Sequence, residues 1–342
     1  MIRFSSVILI RIISVGIVLF GGMGCVDTFM ADVDPPSPRP LVVDGGITSG
    51  PGPHSVTLSL AAAFEQSLEG ATERVEGAEV SIVDRNTETR VQLQETIAGR
   101  YETKEGELTG KPGHEYRLEI TLPDGRAYRS RPEQMPSPVP LDSSFAIYDS
   151  SPRQGIKVLS AFEDPEGRKN YYRWSVRVTR QYPIEAFTPP YTCWRQEDPE
   201  MNQIPLLDDR LVSGSEISNQ VVYVMPPGPS ATRVNQVDVR QLTLTEEAYD
   251  FWSRVEQQIE DIDDPFSAPP GPIRGNVIPV QDTVERALGY FEVAGASEPE
   301  PTCFRQSDFE DAPSTSFPGF GCPTGGQFER PDYWVCSSNP GQ

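Results

Sequence analysis

The sequence predicts a mainly β protein: two tandem immunoglobulin- or transthyretin-like β-sandwiches, the second carrying one helix. Three observations predict this. Apolar residues recur at every second position in several short segments. Turn signals separate those segments by about 8 to 12 residues. A single stretch shows helical spacing behind a capping pattern. Hydrophobic residues make up 37% of the 342-residue chain, enough for a core, and its 34 Pro and 28 Gly favour many turns.

The first sandwich spans residues 41–134. Val56, Leu58 and Leu60 alternate with polar neighbours, as do Ala78, Val80 and Ile82, and then Tyr116, Leu118, Ile120 and Leu122. Period two means half-buried strands with one packed and one wet face. Gly99-Arg100-Tyr101 opens a further short strand, and Pro123-Asp124-Gly125-Arg126 predicts a hairpin turn into Ala127–Ser130. Pro132, Pro136, Pro138 and Pro140 are too dense for a sheet interior, so residues 135–141 read as a linker.

The second domain, residues 142–342, opens with Ile156, Val158 and Phe162. The Asp164-Pro165-Glu166-Gly167 turn follows, then alternating Tyr172, Trp174, Val176 and Val178, which together predict a long hairpin. Residues 183–215 have no clear period and read as an irregular excursion holding Cys193; residues 217–224 and 287–293 read as strands. Thr243-Leu244-Thr245-Glu246 predicts a capping box at the start of a helix over 244–262, with Thr243 as the cap. Ala248, Phe251, Trp252, Val255 and Ile259 follow at helical spacing and predict packing against a sheet.

The N-terminus predicts an address. A basic start at Arg3 precedes an apolar run to Phe20 and the small residues Gly21, Gly22 and Gly24 before Cys25, the pattern of a secretory signal over residues 1–24. The run from Ile12 to Phe20 is shorter than the roughly 20 residues that a spanning helix needs. Cys25 is the expected site of lipidation, although Gly22 stands where lipoprotein signals usually carry Leu. Acyl chains hold a protein on a membrane at about 0.8 kcal/mol per buried methylene. Residues 25–40, with Pro35-Pro36-Ser37-Pro38, read as a stiff tether.

Beyond Cys25 stand Cys193, Cys303, Cys322 and Cys336, and in an exported chain four cysteines suggest two disulfides with three possible connectivities. A Cys322–Cys336 pair would close a loop of about 15 residues and leave Cys193 to Cys303. With no C-x-x-C and distant histidines, no metal site is expected. The formal charge of −21 argues against nucleic acid as a partner. Lys104, Lys111, Lys157 and Lys169 are the only lysines among 29 basic residues, a balance suited to high salt or a GC-rich genome.

No catalytic residues are assigned, because G-x-S-x-G, H-E-x-x-H, G-x-x-x-x-G-K-[ST] and G-x-G-x-x-G are all missing. The two histidines, His54 and His114, read as surface residues. Asp261, Asp263 and Asp264 lack the EF-hand pattern and read, like Asp208-Asp209, as solvated acids. No cofactor is expected. Tyr182, Tyr191 and Trp194, beside Cys193, are the candidate ligand or partner surface, or else they cover the sandwich end.

Leu41-Val42-Val43-Asp44-Gly45, Gly77-Ala78-Glu79-Val80, Gly99-Arg100-Tyr101, Asn170-Tyr171-Tyr172-Arg173-Trp174, the helix stretch from Leu242-Thr243 to Tyr249-Asp250-Phe251-Trp252, Gly275-Asn276-Val277, Gly289-Tyr290-Phe291 and Arg330-Pro331-Asp332-Tyr333-Trp334 form an ordered set that resembles the DUF4249 family of Bacteroidota-type outer-membrane lipoproteins. The tail departs from the family, which often places a C-x-x-C-like pair before a Gly-Gly. The resemblance implies a lipid-anchored envelope protein, a companion of TonB-dependent outer-membrane transporters, and it carries over no catalytic residue. The expectation is therefore a binding or accessory protein held at the outer membrane by its lipid, acting with such a transporter in ligand capture or uptake. An adhesive surface module and a carboxylate-based surface hydrolase are the alternatives.

Overall fold

The computed structural model describes residues 39–61, 73–151, 155–184, 191–197, 204–225, 233–261, 271–281, 287–312 and 322–337. The signal stretch, Cys25 and the tether up to residue 38 lie outside them, as do Asp263 and Asp264. The first half forms β1 (Leu41–Thr48), β2 (Ser55–Leu60), β3 (Glu73–Arg74), β4 (Glu79–Asp84), β5 (Thr89–Gln92), β6 (Gln94–Ile97), β7 (Arg100–Glu102), β8 (Glu115–Thr121), β9 (Ala127–Ser130) and β10 (Glu133–Gln134). Then come β11 (Ser143–Tyr148), β12 (Ile156–Glu163), β13 (Tyr171–Ile184), β14 (Tyr191–Glu197), β15 (Leu206–Asp208), β16 (Glu216–Met225) and β17 (Val234–Leu244). Helix α1 (Glu246–Asp261) precedes β18 (Val277–Pro279), β19 (Ala287–Ser297) and β20 (Thr302–Phe304). The protein is thus mainly β, with one α-helix among the described residues.

One large sheet runs through both halves in the order β14-β13-β17-β19-β1-β2-β7-β6, with β15, β20 and β3 attached to β13, β17 and β2. One half of it faces a six-stranded sheet, β18-β9-β8-β4-β5 with β10 on β8. The other faces a three-stranded sheet, β11-β12-β16. Val43, Val56, Leu58 and Phe291 pack against Val80, Ile82, Leu118 and Ile120 in the first layer pair. Tyr172, Trp174 and Val237 pack against Ile156, Val158, Phe162 and Met225 in the second. The period-two segments are the strands that supply these cores, because alternation puts every second side chain on the buried face. The Pro123–Arg126 turn joins β8 and β9 as predicted, with Gly125 at φ +87°.

Several connections differ from the sequence expectation. β12 and β13 do not form a hairpin: β12 pairs with β11 and β16, whereas β13 pairs with β14, β15 and β17. Alternation shows that each strand has one buried face but not which strand lies beside it. Residues 183–215, expected to be irregular, supply the end of β13 and all of β14 and β15. β19 lies parallel to β1, from Leu41↔Ala287 to Thr48↔Ala294, and its far end pairs with β17. It is buried on both faces, with Phe291 and Val293 in the first core and Tyr290 and Ala294 under α1, as a parallel strand requires. Thus β18 and β19, late in the chain, complete the sheets begun by residues 41–134, and Pro38–Gln342 forms one unit.

The proline-rich stretch is packed rather than free. Met135, Val139 and Leu141 are buried. Prolines cannot donate to a ladder, so side chains take over the backbone pairing here. Thr243 Oγ1 accepts from Val139 N–H (3.2 Å), Gln241 Nε2 donates to the Val139 carbonyl (3.1 Å) and Ser297 Oγ accepts from Leu141 N–H (2.8 Å). Thr243, the expected helix cap, is therefore a buried strand residue. The cap is Thr245, whose Oγ1 accepts from Ala248 N–H (3.2 Å). Glu246 does not reach back; it pairs with Lys169 instead.

The disulfides join Cys193 to Cys322 and Cys303 to Cys336, not the pairing the short-loop reading favoured. An isolated bridge between Trp194 and Gln327 brings the tail beside β14, and β20 on β17 sets Cys303 opposite the tail end. Sheet pairing, not loop length, chooses the partners.

Candidate binding cavity

A cavity of about 490 Å³ opens where three distant segments meet. One wall is residues 131–134, leading into β10. The second is the N-terminal half of α1, with Thr245, Glu247, Asp250, Phe251 and Arg254. The third is Arg274-Gly275-Asn276 before β18, backed by Tyr290 of β19. Gly275 is required here by close approach: an added Cβ would stand 1.5 Å from the Gly289 carbonyl oxygen. Gly289 in turn holds φ +82° with Val43 O 2.0 Å from its own Cβ position. The paired glycines let this segment lie on β19, which places Asn276 and Tyr290 side by side.

Glu133, 7% exposed, lies at the floor. Asn276 Nδ2 donates to its Oε1 (2.8 Å), the Tyr290 hydroxyl donates to the same oxygen, and Thr245 Oγ1 donates to Oε2 (2.9 Å). Asn276 also donates to the Phe291 carbonyl and accepts from its N–H, so its amide is locked. Burial raises the Glu133 carboxyl to about 7, with the nearby Glu247 charge adding to the rise and the three donors opposing it. Burial and the Glu133 charge likewise raise the Tyr290 hydroxyl. Three donors on its two oxygens fix the Glu133 carboxyl in place, so the floor is a polar surface of set orientation that can orient a guest.

Beside the cavity, Arg173 holds Glu292 (2.9 Å) and lies 4.3 Å from the centre of the Trp252 ring, whose Nε1 donates to the same carboxylate (2.7 Å). This pins α1 to the large sheet.

The residues singled out from the sequence lie elsewhere. Tyr182 is 8% exposed and its hydroxyl donates to Glu197 (2.6 Å). Tyr191 packs against Phe328, and Trp194 against Trp334, both half-buried beside the disulfides. The three side chains are distributed over the strapped end of the large sheet and none lines the cavity. His54, expected at the surface, is 2% exposed, with Nε2 3.0 Å from the Leu108 carbonyl, and burial lowers its affinity for a second proton. His114 is half-buried against Asp84. Asp209, expected in solvent, is buried and accepts from Asn170 N–H (2.6 Å), while Asp208 caps the following turn. Asp261 is the last helical residue. Among the described residues no three metal-ligating side chains cluster, and no helix is long and apolar enough to cross a membrane.

The sequence reading missed Glu133. It lies between two prolines in what looks like the start of a linker, and only the tertiary fold supplies its partners. Gly275-Asn276 and Gly289-Tyr290, by contrast, were legible as motifs, and the structure brings both to this floor. The sequence model of a family described as a domain of unknown function (DUF4249) matches residues 26–300, a span that contains every residue of the cavity. No curated protein gives a significant match.

Proposed function

The chain belongs to the DUF4249 family, and from that premise we propose that it is a non-catalytic binding protein of the cell envelope, held by a lipid on Cys25 and acting beside an outer-membrane transporter. The cavity carries this reading: it is of ligand size, it is built from segments about 160 residues apart, and its polar floor is fixed by locked side chains. The apolar run to Phe20, the small residues before Cys25 and the two disulfides support an exported address. The transporter partnership rests on the family resemblance.

Binding is tested by thermal shift of the chain from residue 26 onward against a small-metabolite library. A ligand-dependent rise is expected, and Arg254→Trp, which places bulk at the mouth from α1 without touching Glu133, should abolish it. No shift with any ligand class overturns the binding reading. Mass spectrometry of the exported protein should find Cys25 acylated at the new N-terminus. Affinity purification from detergent-solubilised membranes should recover a β-barrel transporter; recovery of none removes the partnership.

A further inference from the structure

The charges around the cavity mouth say more than that something binds. Eleven described arginines form ion pairs with carboxylates in this acidic chain. Arg131, Arg254 and Arg274, all at this mouth, are among the described arginines that form none with described residues, and Glu247 and Asp250, which line the same mouth, form none either. The two signs are divided between the walls. Arg131 and Arg274 belong to the two segments opposite the helix, whereas α1 contributes Glu247 and Asp250 with a single compensating Arg254. Side chains of both signs are thus gathered at one mouth without satisfying one another, over a floor of locked hydrogen-bonding groups and the apolar ring of Phe251.

We infer that the cavity takes a small zwitterion, a molecule bearing a carboxylate and an ammonium group, of the size of an amino acid or a dipeptide. The carboxylate faces Arg131 and Arg274, where a guanidinium fork can hold it with two parallel hydrogen bonds. The ammonium faces Glu247 and Asp250. A simple anion would meet the helix carboxylates and a simple cation the two arginines, each leaving one wall repelled. A neutral sugar would leave both sets of charge unused. A volume of about 490 Å³ suits a guest of this size.

This inference rests on the cavity being a binding site, and the test separates the two. Calorimetric titrations of the chain from residue 26 onward would use free amino acids, a dipeptide library, the same dipeptides N-acetylated, the same dipeptides as C-terminal amides, and maltose. The zwitterions are expected to bind, and each blocked form to bind at least about tenfold more weakly. Stronger binding of the amino acids or of the dipeptides identifies which of the two is the guest. Arg274→Gln should weaken the zwitterion and the acetylated form but not the amide. Glu247→Gln should weaken the zwitterion and the amide but not the acetylated form. Both positions are exposed, so neither change threatens the fold. An acetylated dipeptide binding as tightly as the free one, or maltose binding in preference to all of them, overturns the zwitterion while leaving a binding site. Silence from every probe and from the metabolite library removes the binding reading itself.

Discussion

Glu133 is a buried acid whose proton is retained by its surroundings. Its folded-state value, about 7, lies above the ordinary 4.5, so the folded state binds the proton more tightly than the unfolded chain. The stability this contributes is fully present below about pH 4.5 and is lost as pH rises toward about 7, an effect of up to roughly 3 kcal/mol. Glu133→Gln keeps an acceptor for Tyr290 and Asn276 but cannot ionise. Urea unfolding across pH 4.5–8 should therefore show wild type losing stability relative to Glu133→Gln as pH rises; parallel curves would sink the claim. His54 acts in the opposite sense. Burial lowers its value below the ordinary 6.5, so its contribution is present above pH 6.5 and is lost as pH falls from there through the lowered folded-state value. Neither environment was legible in the sequence, where one residue stands between prolines and the other in a Pro-Gly loop.

At the scale of elements, α1 is held at its start by Thr245, which caps Ala248 and also donates to Glu133. Thr245→Ala should cost about 1–2 kcal/mol in denaturant unfolding and should loosen the cavity floor. The glycine pair is more stringent. Gly275→Ala places a methyl on the Gly289 carbonyl with nowhere to go, so the variant should fold poorly or lose several kcal/mol, and a wild-type melting temperature would refute the packing. The helix and its apolar face were legible because amphipathic spacing is local. Its cap was displaced by two residues because Thr243 and Thr245 are equivalent as caps in sequence, and only the buried hydroxyl bond to Val139 commits Thr243 to the strand.

For the molecule as a whole, β19 is the strand that joins the two halves of the large sheet, lying between β17 and β1. Residues 41–134 expressed alone lack β18 and β19 and would expose Leu41, Val43 and Ile47 along an unpaired edge. We expect that fragment to be unfolded or aggregated by circular dichroism, and a cooperatively folding one would show the first sandwich to be independent. Non-reducing peptide mapping should recover Cys193 with Cys322 and Cys303 with Cys336. Reduction should destabilise the tail end of the large sheet while sparing the cavity, about which neither bridge is placed.

The sequence by itself determined the class of the fold, because alternation along a strand and amphipathic spacing along a helix are written in neighbouring residues. It also carried the short motifs of the family resemblance, of which Asn276 and Tyr290 meet at the cavity floor. Only the tertiary structure decided which strand lies beside which, which cysteines meet and where a cavity opens. Those are matters of contact between segments 100 and more residues apart, and a run of apolar and polar residues carries the faces of its strands but not the identity of their neighbours. Glu133 gained its role only when Thr245, Asn276 and Tyr290 were folded against it.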